Sequence, residues 1–276
     1  MERYAQTNVQ LFNQLRSEGY SKEERAFISN TYQFGMRIFT GLYLPSGKPF
    51  LDHLVGTASI LAWLRAPIAV VAAGLVHATY LHGDFGCRTG ISDEKRKQVI
   101  DVVGTESENY ITRYDRFLLT AEDVALLEST LQQLSKVDRY VVLMRLANEL
   151  EHNLQFGGLY FVQGEKQQGV HRRYLERRLP VLLKLANALG YGSLAAEFEK
   201  VQREIAALKL PLEPVIVSRQ KVAYLIAPRS YRVRFVIGVP KLMLQYLPQA
   251  SKLLALKTYR VLGHLIAQLS RPRSRV

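Results

Sequence analysis

Apolar positions recur at helical spacing along most of the first two hundred residues. Ala26, Phe27, Tyr32, Phe34, Met36 and Ile38 follow a Ser21 and Glu24 pair of capping-box type, which predicts a helix ending near Phe39. Segment 41–49, GLYLPSGKP, breaks it. Two helices follow over 51–64 and 67–81, joined by a short turn, because Pro67 suits a first helical turn. Gly83, Gly86 and Gly90 predict a loop, and 93–103 predicts a further helix. Thr120 with Asp123 offers another capping box before the periodic run Val124, Leu127, Leu131 and Leu134, and 138–154 is helical. After a turn at Gly157-Gly158, 171–189 and 193–208 read as an antiparallel helical pair hinged at Gly190 and Gly192.

Past Pro211 the character changes. Segments 215–217 and 231–239 are β-branched and partly alternating, so short strands are expected there. In 250–269, Leu254, Val261, Leu262, Leu265 and Leu269 share one side of a helix, while Lys257, Arg260, His264 and Gln268 share the other. Such a basic amphipathic helix suits an anionic membrane surface, the body of the chain or a second copy of it, giving a homo-oligomer. Charge sharpens the division. Twelve of the thirteen net positive charges fall from Val201 onward, where fourteen Lys and Arg stand against Glu204 and Glu213. The expected organisation is therefore a helical domain over 1–160, a helical pair over 161–210 packing on it, and a basic extension over 211–276. Nucleic acid is a weaker partner for that extension: Tyr224, Tyr231, Tyr246 and Tyr259 interleave with its cations, but no RNA or DNA motif accompanies them.

Composition removes several classes. With 48% hydrophobic residues the chain can bury a good core, and its single cysteine, Cys87, excludes an internal disulfide or a thiolate metal cluster. The first twenty residues carry charges and amides where a secretory signal would be apolar, so a cytoplasmic protein, peripheral to a membrane at most, is expected. The longest uncharged stretch, 66–83, includes Pro67, His77 and His82 and is flanked by Arg65 and Asp84. It reads as a buried core helix rather than a membrane span.

Polar residues set inside these apolar patterns carry the chemistry. His53 stands early in one helix, His77 ends an apolar run, and Asn148, Glu151 and His152 share one side of a third helix. Ser46-Gly47-Lys48-Pro49-Phe50 leading to His53, then Ala73-Gly74-Leu75-Val76-His77-Ala78, then Arg145-Leu146-Ala147-Asn148 with Asn153 in register, occur in this order. Over 27–154 the chain thereby resembles the HD domain of the RelA/SpoT type. The resemblance implies an all-α, HD-domain-like helical bundle, here with a C-terminal helical extension and basic tail. It also implies a divalent metal (Mn, Fe or Zn) held by two imidazoles and two carboxylates.

Ala78 and Asn148 stand at the two carboxylate positions, and Leu81-His82 stands where that family has an acidic pair. Glu151, one turn beyond Asn148, restores a carboxylate on the same side. The chain is closer to uncharacterised HD-like groups that lack the Asp and carry a His-x-x-Tyr arrangement, here His77-Ala78-Thr79-Tyr80. The implied metal set is His53, His77, Asn148 and Glu151. Tyr80 and Glu151 are the candidates for proton transfer, and Lys48, Arg145 and His82 for contact with an anionic substrate.

Two function classes stay open. One is a divergent metal-dependent hydrolase of a small phosphorylated or nucleotide-like substrate, of weakened or lost activity, with a diiron oxygenase as a remoter variant. The other is a binding or scaffold protein without metal or other cofactor, which holds a small anionic molecule and is tethered to a membrane or partner by its basic C-terminal helix.

Overall fold

The computed structural model describes residues 4–44, 48–86, 90–114, 117, 133–154 and 165–207. The capping box at Thr120, the Gly157-Gly158 turn, Cys87, the Ser46-Gly47 pair and everything expected beyond Pro211 lie outside those residues. The chain divides into two compact units, one of Met1–Phe85 with Thr89–Ile226 and one of Gly86–Arg88 with Ala227–Val276. The first holds every helix among the described residues, and no strand occurs among them beyond an isolated bridge between Tyr43 and Pro49. The fold is all-α, as the sequence predicts.

In chain order the helices are α1 (Asn8–Ser17), α2 (Lys22–Phe39), α3 (Phe50–Trp63), α4 (Ile68–Leu75), α5 (Thr79–His82), α6 (Asp93–Tyr114), α7 (Lys136–Leu154), α8 (Glu165–Ala188) and α9 (Gly192–Ala207). Two begin with complete capping boxes. Ser21 and Glu24 open α2 as predicted, and Thr7 with Gln10 opens α1, a helix that the apolar pattern does not announce. Helices α8 and α9 turn back on one another around Gly190, whose φ of 88° is left-handed, and both touch α7.

The middle of the bundle is α3, flanked by α4, α7 and α1. Residues 53–62 of α3 are all buried, so this helix has packing partners all round, with His53, Thr57 and Ser59 as the polar groups in that run. Small residues allow the close approach. A side chain at Gly74 of α4 would collide with Leu61, and one at Gly56 would lie 2.7 Å from Cγ of Glu151 in α7.

The predicted helix over 67–81 is interrupted. It ends at Leu75, runs through a turn at Val76, His77 and Ala78, and resumes as the short α5. Local hydrogen bonds account for the break, since Nδ1 of His77 lies 2.8 Å from the Gly74 carbonyl and the Thr79 hydroxyl donates to the Val76 carbonyl at 2.5 Å. In α6 the predicted helix does end at Val103, and what the apolar pattern does not announce is a second helical stretch that runs on to Tyr114. Gly104, at φ 74° and ψ 164°, kinks the chain and the helix restarts behind it. Among the described residues no helix is long and apolar enough to cross a membrane, and residues 70–80 of the uncharged 66–83 stretch are buried in the core, while Leu81 and His82 are exposed.

Candidate metal centre

Glu151 is the point on which the site converges. It lies in the last turn of α7, 1% exposed, against the Gly56 face of α3. His53 is one turn before Gly56 on that face, and its Nδ1 hydrogen-bonds one oxygen of Glu151. The other oxygen accepts from the ammonium of Lys48, which reaches in beside the Tyr43 and Pro49 bridge and also donates to Oε1 of Gln6 at 2.6 Å. Next along α7, the His152 ring stacks on His53 with centroids 4.4 Å apart and planes at 30°. His77, brought in by the interrupted helix, lies edge-on to His53 at 5.6 Å and tilted against Tyr114 at 4.6 Å.

The surroundings set the charges. Burial alone would push the Glu151 carboxyl up, but its hydrogen bond and electrostatic interaction with His53, and then the Lys48 ammonium, hold it below the usual carboxylate range. Burial keeps His77 neutral, driving it well below the ordinary imidazole value, with His53 and Arg145 acting in the same direction. His152 is pushed down to about 4 by desolvation of its stacked ring and by His53, although the residue as a whole is exposed. Asp52, half-buried, is raised first by burial and then by Glu151, while Lys48 opposes the shift.

The residues singled out in the sequence fall into two groups. Lys48, His53, His77, Glu151 and His152 meet at one point, and buried Asn148 sits one turn before Glu151 on α7. His82 lies at the exposed rim with its ring 5.4 Å from Phe50. Tyr80 and Arg145 have other partners. The Tyr80 hydroxyl donates to Glu108 at 2.8 Å, and Arg145 caps the end of α6, donating twice to the Tyr114 carbonyl with its guanidinium 3.6 Å from the Tyr114 ring centroid. Sequence reasoning misses Gln6, Asp52 and Gly56. A carboxylate next to a pocket histidine is a readable signal for Asp52, whereas the parts of Gln6 and Gly56 depend on contacts between distant segments.

His53, Glu151 and His152 offer one donor atom each, all within 4.8 Å of one another. Two imidazoles and one carboxylate suit zinc, iron or manganese, so the donor chemistry fits a divalent ion. The gap in the implied set is charge, because Ala78 and Asn148 leave Glu151 as the buried anion of this cluster.

An all-helical domain with a histidine and carboxylate centre is therefore the class that fold and site define. Within it, a domain of unknown function (DUF6817) matches residues 44–116, which include Lys48, His53 and His77. The chain is 28% identical to a GTP pyrophosphokinase of Streptomyces antibioticus over 173 residues, 62% of this chain and 19% of that protein. A probable chloroplastic GTP diphosphokinase of Arabidopsis thaliana is 30% identical over 56% of this chain and 21% of its own length. A probable GTP pyrophosphokinase of Mycobacterium leprae is 25% identical over 67% and 22%. The chain thus spans about a fifth of the length of the curated relatives it matches.

Proposed function

We propose that the helical domain binds one divalent ion through His53, Glu151 and His152, with His77 and Asn148 beside them, and hydrolyses a small phosphorylated, nucleotide-like substrate. One observation carries this reading: two imidazoles and a carboxylate from two helices bring their donor atoms within 4.8 Å where a buried core meets the exposed His152. The names of the relatives suggest the substrate class, since they are called GTP pyrophosphokinases and diphosphokinases. When bound, the ion would make a coordinated water acidic enough to supply hydroxide near neutral pH.

The chain's own groups have matching tasks. His77 donates from Nδ1 to the Gly74 carbonyl, which leaves Nε2 as the proton acceptor of a neutral ring. His82 offers a contact at the rim, and Lys48 becomes a phosphate contact once it leaves Glu151. Tyr80 and Arg145 are held at α6, by Glu108 and by the Tyr114 carbonyl.

A second reading, a metal-free pocket for a small anionic molecule, is favoured by a different observation. The Lys48 ammonium already balances the buried negative charge of Glu151. In either reading the basic extension over 211–276 would carry the domain to an anionic surface, a role supported by its charge.

Elemental mass spectrometry on the full chain, prepared without chelators, separates the two. Near one manganese, iron or zinc per chain is expected, lost in both His53→Ala and Glu151→Gln. The same background in all three proteins removes the metal reading and leaves the anion pocket.

A further inference from the structure

The Lys48 side chain has a feature that a phosphate-binding lysine does not need. The side chain is 11% exposed, its ammonium is hydrogen-bonded to Glu151, and its second acceptor is the neutral amide of Gln6, from the segment before α1. Glu151 is itself sealed between Gly56, His53 and that ammonium. A divalent ion bound at His53, Glu151 and His152 needs a Glu151 oxygen, and Lys48 occupies one. Holding both cations beside one buried carboxylate would leave an uncompensated positive charge among groups that burial already keeps neutral or paired.

We infer that Lys48 is an internal competitor for the metal: its ammonium and a divalent ion exchange at the Glu151 carboxylate, so that loading the site releases Lys48. The inference deepens the metal reading of this site and rests on it. Lysine suits an exchangeable role. A single point charge on a flexible stem gives up a carboxylate oxygen more easily than the two-pronged arginine fork, and Lys48 enters from a loop, so its release requires no helix to move. The Gln6 amide oxygen is an acceptor that the released ammonium can keep. The exchange is a change of electrostatic partners, with no bond made or broken in the chain.

The test is a titration of the full chain with Mn²⁺, followed by calorimetry and by thermal melting, on wild type, Lys48→Met, Lys48→Gln and Glu151→Gln. Removing a cation a few ångströms from the ligand carboxylate should tighten Mn²⁺ binding roughly ten-fold or more in both Lys48 variants. Without metal those variants should melt below wild type, and saturating Mn²⁺ should restore them by resupplying the missing cation. Glu151→Gln should bind none. Lys48→Gln keeps a polar group of similar length and covers the case in which Lys48→Met fails to fold.

Wild-type binding that is unchanged or weakened in the Lys48 variants overturns the inference and leaves the metal reading standing. Binding by the Lys48 variants but not by wild type supports the competition and removes the native metal load. No binding by any of them overturns both.

Discussion

Two buried carboxylates, each 1% exposed, sit in one bundle and are treated differently. Glu108 in the second half of α6 is met by the Arg96 guanidinium with two bonds of 2.8 and 3.0 Å, by the Tyr80 hydroxyl at 2.8 Å and by the Thr112 hydroxyl at 2.6 Å. Burial opposes its charge, but those four bonds keep its carboxyl below the ordinary range. Together these donors tie α5 to both halves of the kinked α6. Glu151 is met by an imidazole and by a lysine from a loop, with two further histidines at hand. A carboxylate saturated by an arginine fork and hydroxyls is a structural joint. One held by groups that are themselves metal ligands or exchangeable cations is a site.

The sharpest way to break that contrast is Glu108→Ala. It strands the Tyr80 and Thr112 hydroxyls and unties the α6 kink, while the exposed Arg96 turns to water, so the expected loss is that of the stranded hydroxyls, about 3 kcal/mol by urea unfolding. Metal stoichiometry of the folded fraction should not change. A loss of metal binding in that variant would show that the two carboxylates are not separate in role.

Gly56→Ala attacks the other carboxylate without touching its charge. The new methyl would lie 2.7 Å from Cγ and 2.8 Å from Oε1 of Glu151, so the side chain must shift off His53 and Lys48. Overpacking of this kind costs about 2 kcal/mol. Unlike Glu108→Ala, it should also abolish Mn²⁺ binding, measured by the same titration.

Acid provides a third separation. His77 is neutral when folded, so below about pH 6.5 the unfolded chain takes up a proton that the folded chain refuses. Its contribution is complete above that value and falls away as pH drops, by up to about 1.4 kcal/mol per unit. His152, shifted to about 4 but exposed, adds less. Glu151, depressed when folded, contributes stability above its ordinary range and loses it only at still lower pH. Stability measured from pH 7 to 5 should fall less steeply in His77→Gln, and an unchanged slope would place the acid sensitivity elsewhere. The smallest effect belongs to Gln6→Ala, which removes one neutral acceptor from Lys48 and should cost about 1 kcal/mol with Mn²⁺ binding retained.

Local chemistry made much of the fold legible in advance. The box at Ser21, the break at 41–49, the proline before α4 and the glycine between α8 and α9 act within a few residues of themselves. Helix α1 escaped notice because its opening is polar and its two buried positions, Leu11 and Leu15, are too few to stand out as a periodicity. The turn at His77 was hidden by an apolar run that suits a continuous helix, and a side chain returning to the Gly74 carbonyl decided otherwise. For the site, the residue types could be read while their partners could not. Lys48 and Glu151 are 103 positions apart, and nothing local to either indicates that they are bonded.

The absence of a side chain at position 56 has a consequence for descent. Glu151 fits only over a bare backbone, so the two positions are not free to vary separately. Related chains should keep glycine at this place wherever they keep a carboxylate opposite it, and should lose both together where the centre has been abandoned. That paired change is a mark by which working copies could be sorted from silent ones before any protein is made.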